Sequence, residues 1–367
     1  NLDLIMKIIF ICTKSITFNT FLKFQADYFL KKGINVAVAC SDIENLNFKN
    51  IIIHRIDFPN KIINFFNLNV YIKIFIQIQK LVKTNPSGIF YLHTPVAAHL
   101  FRFFTYFNKL KIIYFVHGFR FLLTAKSLKN FFFKIIEKIL SYKTHIFITI
   151  NNHDFNFVKL NLTNKKLCYK INGVGLKLSS KHFKKKIKNK KQIKKILVIA
   201  AYKKDKGYLE ILKVAELLKK RNIQIECYGY GDCYKFNSIK IKKKINNISF
   251  NSFDINLESK IHQFDILLHL SKREGLPVSI MQSLSAGLPV ICYNIRGNND
   301  LIKDRFNGYF VKSYRDVANK LYYLNLENNF FSKMRLNAFN SINKDYSKKH
   351  INDYLYKVIK KYSKHKL

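Results

Sequence analysis

The stretch FDILLHLSKREGLPVSIMQSLSAGLPVICYNIRGNNDLIKDRFNGYFV, Phe264–Val311, is the most informative part of the sequence for the fold. It opens with an apolar run that ends in a sharp turn at Glu274–Pro277. A helix is predicted from Val278 to Ala286, because the following Gly287 suits the left-handed cap that closes helices. Leu288–Tyr293 is predicted to be the next strand, which completes a parallel βαβ unit. In such units ligands gather at the carboxyl ends of strands, and a helix N-terminus suits an anion such as a diphosphate.

The rest of the chain alternates in the same way. Short continuous apolar runs indicate buried parallel strands, and longer periodic segments indicate helices. The further strands are predicted at Lys7–Thr13, Asn35–Cys40, Ile51–Ile56, Ile89–His93, Lys111–Val116, Ile146–Ile150, Ile196–Ala200, Gln224–Tyr228 and Ile248–Phe250. The further helices are predicted at Thr20–Lys32, Asn67–Lys83, Val96–Phe107, Ser127–Leu140, Tyr208–Lys220, Asn256–His262 and Asp316–Leu326. This alternation predicts an α/β protein with two Rossmann-like domains facing each other across a cleft.

A break in the pattern separates the two domains. Ser179–Lys195 is dense in lysine and has no apolar periodicity, so it is predicted to be a surface linker. We therefore expect an N-terminal domain at 1–180 and a C-terminal domain at 181–345. A C-terminal helix at 346–367 is expected to return towards the N-terminal domain.

Composition narrows the class of protein. The chain has 367 residues, 48% of them hydrophobic, which is enough for two packed cores. Its net charge of +43 attracts polyanions such as nucleic acid, an anionic membrane or phosphorylated substrates. We ascribe roughly half of this excess to a general bias towards Lys, Asn, Ile and Phe. Six scattered cysteines without metal-ligand spacing, and the lack of a signal-peptide pattern, predict a cytoplasmic protein.

Read in order, these segments resemble glycosyltransferase family 4, the retaining, nucleotide-sugar-dependent group with the GT-B fold. The resemblance covers nearly the whole chain. It is carried by KIIFICT, NVAVACSD, YLHTPVAAHLFR, IIYFVHGFRF, FITINNHD, INGVGLKL and, most specifically, REGLPVSIMQSLSAGLPVICYNIRGNNDLI.

The last of these segments implies a donor-binding site. Glu274 is expected to contact hydroxyls of the donor sugar, since a carboxylate accepts two hydrogen bonds at once. The backbone N–H groups of Gly275 and Leu276 are expected to hold the distal phosphate and the sugar. Pro277 has no N–H and suits the start of the helix. The family carries a second Glu for the ribose hydroxyls where this chain has Gln282, whose amide keeps one acceptor.

The segment AAYKKDKGY, residues 200–208, implies the diphosphate contacts. Lys206 falls on the lysine of the family, whereas its arginine position is Ala201 in this chain. Lys203 or Lys204 could supply the missing charge, although a lysine is a point charge and not a bidentate fork. Arg273 is a further donor-side candidate.

Two histidines end strands of the first domain. The resemblance places His117 in the position of the catalytic-site histidine of the family, near the donor sugar and diphosphate. His93 and Arg102 are candidates on the acceptor side. The lesser candidates are Ser271, Asn299 and Asp265, of which Asp265 is expected to be structural.

The mechanism that the resemblance implies is front-face transfer with retention of configuration. The leaving diphosphate helps to take the acceptor proton, while Lys206 and helix dipoles stabilise its charge. The donor is expected to be a UDP-sugar that supplies a hexose or an N-acetylhexosamine. The sequence has no DxD motif and no metal-ligand cluster, so neither a metal nor another cofactor is expected.

The acceptor side is expected to meet a membrane. Phe101–Leu140 mixes aromatic rings with lysines and arginines, and the core accounts for most of the rings. The interleaved cations suit an interfacial face on an anionic bilayer. This predicts a peripheral enzyme at the inner face of the membrane, with a glycan or lipid-linked glycan acceptor in capsule, lipopolysaccharide or related synthesis.

Three alternatives stay open. The charge suggests nucleic-acid binding, but no binding-module signature is present, so we expect no specific nucleic acid. Gln282 and Ala201 suggest a catalytically weak homologue that serves as a partner subunit. A GT-B epimerase is the third alternative.

Overall fold

Two separate parallel sheets organise the chain. The computed structural model describes residues 6–48, 51–59, 68–122, 127–162, 167–178 and 192–363. The chain divides into a first unit, Asn1–Gly175 with Lys348–Leu367, and a second unit, Leu176–Ser347. The predicted boundary at 180/181 and most of the predicted linker, residues 179–191, lie outside the described residues.

The first unit is built on a seven-stranded sheet. Its strands are parallel and lie in the order β3-β2-β1-β4-β5-β6-β7. The order reverses between β1 and β4, which is where such sheets open a crevice at the strand ends. The strands are β1 Lys7–Ile11, β2 Asn35–Cys40, β3 Ile52–Arg55, β4 Ile89–Leu92, β5 Lys111–Val116, β6 Ile146–Thr149 and β7 Leu167–Lys170.

Helices cover both faces of this sheet, which explains why its central strands are almost wholly apolar. One core cluster joins the strands to the helices at Leu68–Lys83, Pro95–Phe104 and Asn152–Asn161. The helices are α1 Ser15–Thr17, α2 Lys23–Lys31, α3 Leu68–Lys83, α4 Pro95–Phe104, α5 Leu128–Ser141 and α6 Asn152–Asn161, with a π-helical turn at Phe18–Leu22 and a 3-10 turn at Ile43–Asn45.

The second unit repeats the architecture with six parallel strands in the order β10-β9-β8-β11-β12-β13. Its reversal lies between β8 and β11. The strands are β8 Lys195–Ile199, β9 Gln224–Tyr228, β10 Ile248–Asn251, β11 Ile266–His269, β12 Val290–Tyr293 and β13 Gly308–Val311. The helices are α7 Tyr208–Leu217, α8 Tyr234–Lys242, α9 Leu257–Lys260, α10 Val278–Ser285, α11 Asn298–Leu301, α12 Tyr314–Leu326 and α13 Asn328–Ser341, with 3-10 turns at Lys204–Lys206, Ile261–Gln263 and Lys344–Tyr346.

The last helix, α14 at Lys348–Ser363, belongs to the first unit. It packs on α2, where the Tyr28 hydroxyl donates to the Asp353 carboxylate. The chain enters it beside Gly175, where an added Cβ would lie 2.6 Å from Cα of Lys348. Within the described residues, no helix is both long enough and apolar enough to cross a membrane.

Every predicted strand and helix is present, with ends that differ by a few residues. The predicted helix at 256–262 was too long, since it ends at Lys260 and continues as a 3-10 turn. The polar segment 294–300, which follows β12, contains the start of α11. Within the described part of the chain, the helices and strands without a sequence prediction of their own are α1, α6, α8, α11, β7 and β13, which are short or carry little apolar periodicity.

Candidate functional site

Two loops of the second unit bring a lysine and a glutamate together. Lys206 lies in the loop after β8 and Glu274 in the loop after β11, the two strands at which the order of the sheet reverses. Nζ of Lys206 donates to Oε1 of Glu274 at 2.7 Å. The side chains are only 20% and 14% exposed. The topology therefore places this pair at the switch point, where open α/β sheets bind ligands.

A buried histidine completes this cluster. Nε2 of His269, the last residue of β11, lies 3.2 Å from Oε1 of Glu274, close enough for electrostatic attraction although not aligned as a hydrogen bond. Burial alone would raise the pKa of Glu274, but the contacts with His269 and Lys206 outweigh it and hold the pKa at about 2. Glu274 is thus a carboxylate at neutral pH.

Close backbone approaches fix the positions of the two loops. The Lys272 N–H donates to the Asp205 carbonyl at 2.9 Å. Gly207 has a φ of 78°, and an added Cβ would lie 2.2 Å from the Leu270 carbonyl oxygen. No other residue type combines that backbone angle with that proximity. The loop that carries Lys206 and the loop that carries Glu274 therefore pack directly against each other through their backbones.

A third loop supports the Glu274 turn from the other side. Gly297, with a φ of 81°, leaves room for the Gly275 carbonyl oxygen, which would lie 2.2 Å from a Cβ at this position. Nε of the buried Arg296 donates to the Glu274 carbonyl at 3.0 Å. Neither Arg296, Gly297 nor His269 was a sequence candidate. The glycine in the polar turn after β12 was the one available signal for this contact.

The Glu274 turn offers free donors. Among the described residues, none accepts a backbone hydrogen bond from the N–H of Gly275 or Leu276. Pro277 is the N-cap of α10, and Gln282 lies in the second turn of that helix, half-buried. In this described part of the chain no group hydrogen-bonds to the Gln282 side chain. Free N–H groups next to a helix N-terminus are a favourable place for a phosphate.

The other donor-side candidates lie on the loops that follow β8 and β11. Lys203, Lys204 and Arg273 are exposed, and Ala201 is half-buried beside them. The exposed cations sit on the same two loops as Lys206 and Glu274, so they add positive charge to this edge of the sheet. Asn299 is exposed on α11, and the Ser271 hydroxyl is buried without a partner among the described residues.

Asp265 has a structural role, as expected. Its Oδ2 accepts hydrogen bonds from the backbone N–H groups of Lys194 and Lys195, both at 2.8 Å. These bonds tie the start of β11 to the start of β8. Within the described residues, no group of three His, Cys, Asp or Glu side chains is placed to hold a metal ion.

In the first unit, His93 and His117 form a pair. Nδ1 of His93, just after β4, lies 3.1 Å from Nε2 of His117, just after β5. Nε2 of His93 is buried with no partner in the described part of the chain. We assign the proton of His93 to Nδ1, since an orphaned lone pair is tolerated better than an orphaned N–H. His117 then accepts at Nε2 and keeps its own proton on Nδ1.

Both histidines are neutral at physiological pH. Burial lowers the pKa of His117 to about 4. Burial, and then the neighbouring His117, lower the pKa of His93 well below its usual range. His93 is fully buried, stacked on the Phe10 ring at a centroid distance of 5.6 Å. Its surroundings suit the positioning of His117 rather than direct contact with an acceptor.

The residue after His93 is strained. Thr94 has a φ of 54°, which a β-branched residue rarely adopts. Its hydroxyl lies 2.8 Å from the Thr13 hydroxyl and accepts from the Thr13 N–H at 3.0 Å. Thr13 follows β1 and Thr94 follows β4, the strands at the reversal of this sheet. Strain held at such a point is typical of functional sites, and sequence analysis did not single out either threonine.

Arg102 lies in the core of the first unit. Its guanidinium donates to Glu137 at 2.9 Å and packs over the Tyr114 ring at 4.4 Å. Nε2 of His99 lies 2.7 Å from the other oxygen of Glu137. Arg102 is 0% exposed, so its side chain is part of a buried ionic network and not of an accessible acceptor surface.

Chemically, the second unit offers an anion site beside a hydrogen-bond acceptor. Lys206 and the free N–H groups can bind a diphosphate, and the Glu274 carboxylate can accept from hydroxyls of an adjacent sugar. In the first unit, His117 offers a neutral imidazole.

Known proteins match both halves of the chain. Residues 7–151 match the family model described as glycosyl transferase 4-like, and residues 179–340 match that of glycosyl transferases group 1. The putative glycosyltransferase EpsD of Bacillus subtilis is 26% identical, over 83% of this chain and 83% of its own length. An Escherichia coli UDP-Gal:alpha-D-GlcNAc-diphosphoundecaprenol alpha-1,3-galactosyltransferase is 24% identical, over 65% of this chain and 66% of its own.

The fold has close structural neighbours. HepE of Anabaena, solved in complex with UDP and glucose, superposes with a TM-score of 0.75 and 13% identity. The match covers 97% of this chain and 100% of HepE. Because both halves match glycosyltransferase models in the right order on two Rossmann-like units, the chain belongs to the family 4 type of glycosyltransferases with the GT-B fold.

Proposed function

We propose that the chain is a retaining glycosyltransferase that moves a hexose or N-acetylhexosamine from a UDP-sugar to a lipid-linked glycan at the inner face of the membrane. The observation that carries this proposal is the cluster of Lys206, Glu274 and His269 beside the free N–H groups of Gly275 and Leu276. The UDP and glucose in HepE and the lipid-linked acceptor named for the E. coli enzyme support the choice of substrates.

In the proposed reaction, the diphosphate of the donor competes for Lys206. Among the residues that the structure describes, the lysine has one strong partner, the Glu274 carboxylate. A bound diphosphate offers a second anion, so Lys206 moves towards it and Glu274 gains acceptor capacity for the sugar hydroxyls. Breakage of the bond between sugar and diphosphate builds negative charge on the leaving oxygen, which Lys206 and the N–H groups of the Glu274 turn stabilise.

The acceptor proton needs a base on the same face of the sugar. The leaving diphosphate fills that role in front-face transfer, and no protein base is required for it. Neutral His117, with its proton on Nδ1, is proposed to donate to the donor sugar or to the diphosphate. Its low pKa keeps it from becoming a fixed positive charge near neutral pH.

A donor panel tests the proposal. The full chain is incubated with UDP-glucose, UDP-galactose and their N-acetylated counterparts, together with lipid-linked glycans from a membrane extract. Transfer from at least one donor is expected, with an α-linked product by NMR, and Glu274→Gln is expected to lower it at least about a hundredfold. No transfer from any UDP-sugar, or equal transfer by the variant, would refute the assigned reaction.

Gln282 favours one second candidate, a homologue that binds a nucleotide sugar without turning it over. The amide has one neutral acceptor oxygen where a carboxylate has two charged ones, so it cannot accept from the two ribose hydroxyls with a separate oxygen for each. Calorimetry with UDP together with the transfer assay separates the candidates. Both forms bind UDP, but the non-catalytic form shows no transfer with any donor, whereas an active enzyme shows transfer that Gln282→Glu preserves or raises.

A further inference from the structure

Helix α5 presents its apolar side to solvent. Six large apolar side chains recur every three or four residues and so share one side of the helix. They range from 78% exposed at Leu128 to 38% at Ile135 and Ile136. This apolar stripe consists of Leu128, Phe131, Phe132, Ile135, Ile136 and Ile139. A surface helix of a globular domain normally buries such a stripe against the core, whereas α5 turns it towards solvent.

The inner side of α5 explains why the helix cannot rotate to bury the stripe. Glu137 lies opposite the stripe and is 2% exposed, held by Arg102 at 2.9 Å and by His99 at 2.7 Å. Rotation would pull this carboxylate away and leave the buried Arg102 without its counter-charge. The ionic network therefore fixes the apolar stripe on the outside.

The neighbouring helices continue the same surface. α4 packs against both α3 and α5 and is almost fully buried. On α3, apolar residues at the same spacing are also exposed, including Ile72 at 46% and Ile76 at 59%. Phe103 at the end of α4 is 64% exposed. One layer of the first unit thus carries outward apolar side chains on three successive helices.

Lysines flank the stripe on both sides. At about 100° per residue, Lys129 and Lys138 lie roughly a quarter-turn from the centre of the stripe, in opposite directions. Both are exposed. An apolar stripe with a lysine on each side matches an interfacial helix, which buries its apolar side at the acyl boundary while the lysines reach phosphate headgroups.

We infer that α5 docks the first unit flat on an anionic lipid bilayer. A second copy of the chain fits the same surface less well, because each copy carries a net charge of +43 and the flanking lysines would face one another. An anionic leaflet is complementary to both parts of the surface. The biological role of this docking, which is access to a lipid-linked acceptor, rests on the proposed function. The docking surface itself is inferred from the exposed side chains of α5 and does not depend on that function.

Vesicle binding tests this inference directly. The full chain is sedimented with phosphatidylcholine vesicles, with and without phosphatidylglycerol. Binding is expected only with the anionic lipid, and Phe131→Gln/Phe132→Gln is expected to lower the partition coefficient at least about tenfold. Lys129→Gln/Lys138→Gln is expected to lower it about fivefold or more on anionic vesicles.

Two control variants carry the same kinds of substitution at positions away from α5. Leu160 and Leu217 are also exposed leucines on helices, so Leu160→Gln/Leu217→Gln is expected to leave binding unchanged. Lys220→Gln/Lys242→Gln removes the same charge from the second unit, again with little expected effect. Circular dichroism confirms that each variant is folded.

Three outcomes would overturn the inference: no binding of the wild type to anionic vesicles, equal binding by the phenylalanine variant, or a wild-type dimer that this variant dissociates. The last would assign the surface to a second copy. UDP binding, measured by calorimetry on the same variants, should not change. Failure of UDP binding alone, with vesicle docking intact, would refute the proposed reaction and leave the docking surface standing.

Discussion

Replacement of Glu274 by Gln should destabilise the fold by an amount that depends on pH. The contacts with His269 and Lys206 bring the pKa of Glu274 from its ordinary value of 4.5 to about 2, despite burial. A shift of this size corresponds to about 3 kcal/mol of stability at pH 7, at about 1.4 kcal/mol per unit. Because the pKa is lowered in the folded state, this stability is complete above 4.5 and is lost as the pH falls towards 2.

Urea unfolding of the full chain measures the effect. The difference in unfolding free energy between the wild type and Glu274→Gln should be about 3 kcal/mol at neutral pH and about 2 kcal/mol near pH 3.5. Glu216→Gln is the matched control, because Glu216 pairs with Lys243 at 3.0 Å but both side chains are 47% exposed. An exposed pair contributes about 0–1 kcal/mol. A pH-independent difference, or one no larger than that of the control, would refute the assigned electrostatics.

The remaining predictions concern the buried network, the glycine contact and the histidine pair. Arg102→Met should cost about 3–5 kcal/mol in urea unfolding, since Glu137 is left buried with His99 alone, and a loss below about 1 kcal/mol would contradict the network. Gly207→Ala should weaken UDP binding in calorimetry at least about tenfold, whereas Gly33→Ala, with the same φ of 78° but open space around it, should leave binding intact. NMR titration should find His117 neutral from pH 8 to about 5, protonating near pH 4; a pKa near 6.5 would contradict its burial.

The sequence was sufficient to predict most strands of both sheets and much of the loop that carries Glu274. Continuous apolar runs predicted β2, β5 and β9 with the ends that the structure gives. Parallel strands covered on both faces leave such runs because every side chain of the strand is buried. The segments α6 and α8 were missed because NHDFNFVKLN and YKFNSIKIK mix polar residues into both sides of the helix.

The cluster around Glu274 needed the structure because its parts come from distant places. Arg296 and Gly297 follow β12 in the chain and contact the backbone of the Glu274 turn. His269 is the last residue of β11, a strand whose sequence indicates only a buried core. These relations depend on which loops meet at the strand ends, and local pattern does not encode that. Arg102 was wrongly expected to be accessible, because its sequence context indicated a surface cation. Its partner Glu137 lies on another helix, so only the structure shows that Arg102 is a core residue.

The proposed reaction depends most on Lys206, which is proposed to stabilise the leaving diphosphate of a UDP-sugar. The most direct measurement is kcat/KM for sugar transfer by Lys206→Met, with Lys219→Met as the control for an exposed lysine on the same unit. We expect a loss of at least about a hundredfold for Lys206→Met and none for the control. Equal values of kcat/KM for Lys206→Met and the wild type would contradict it.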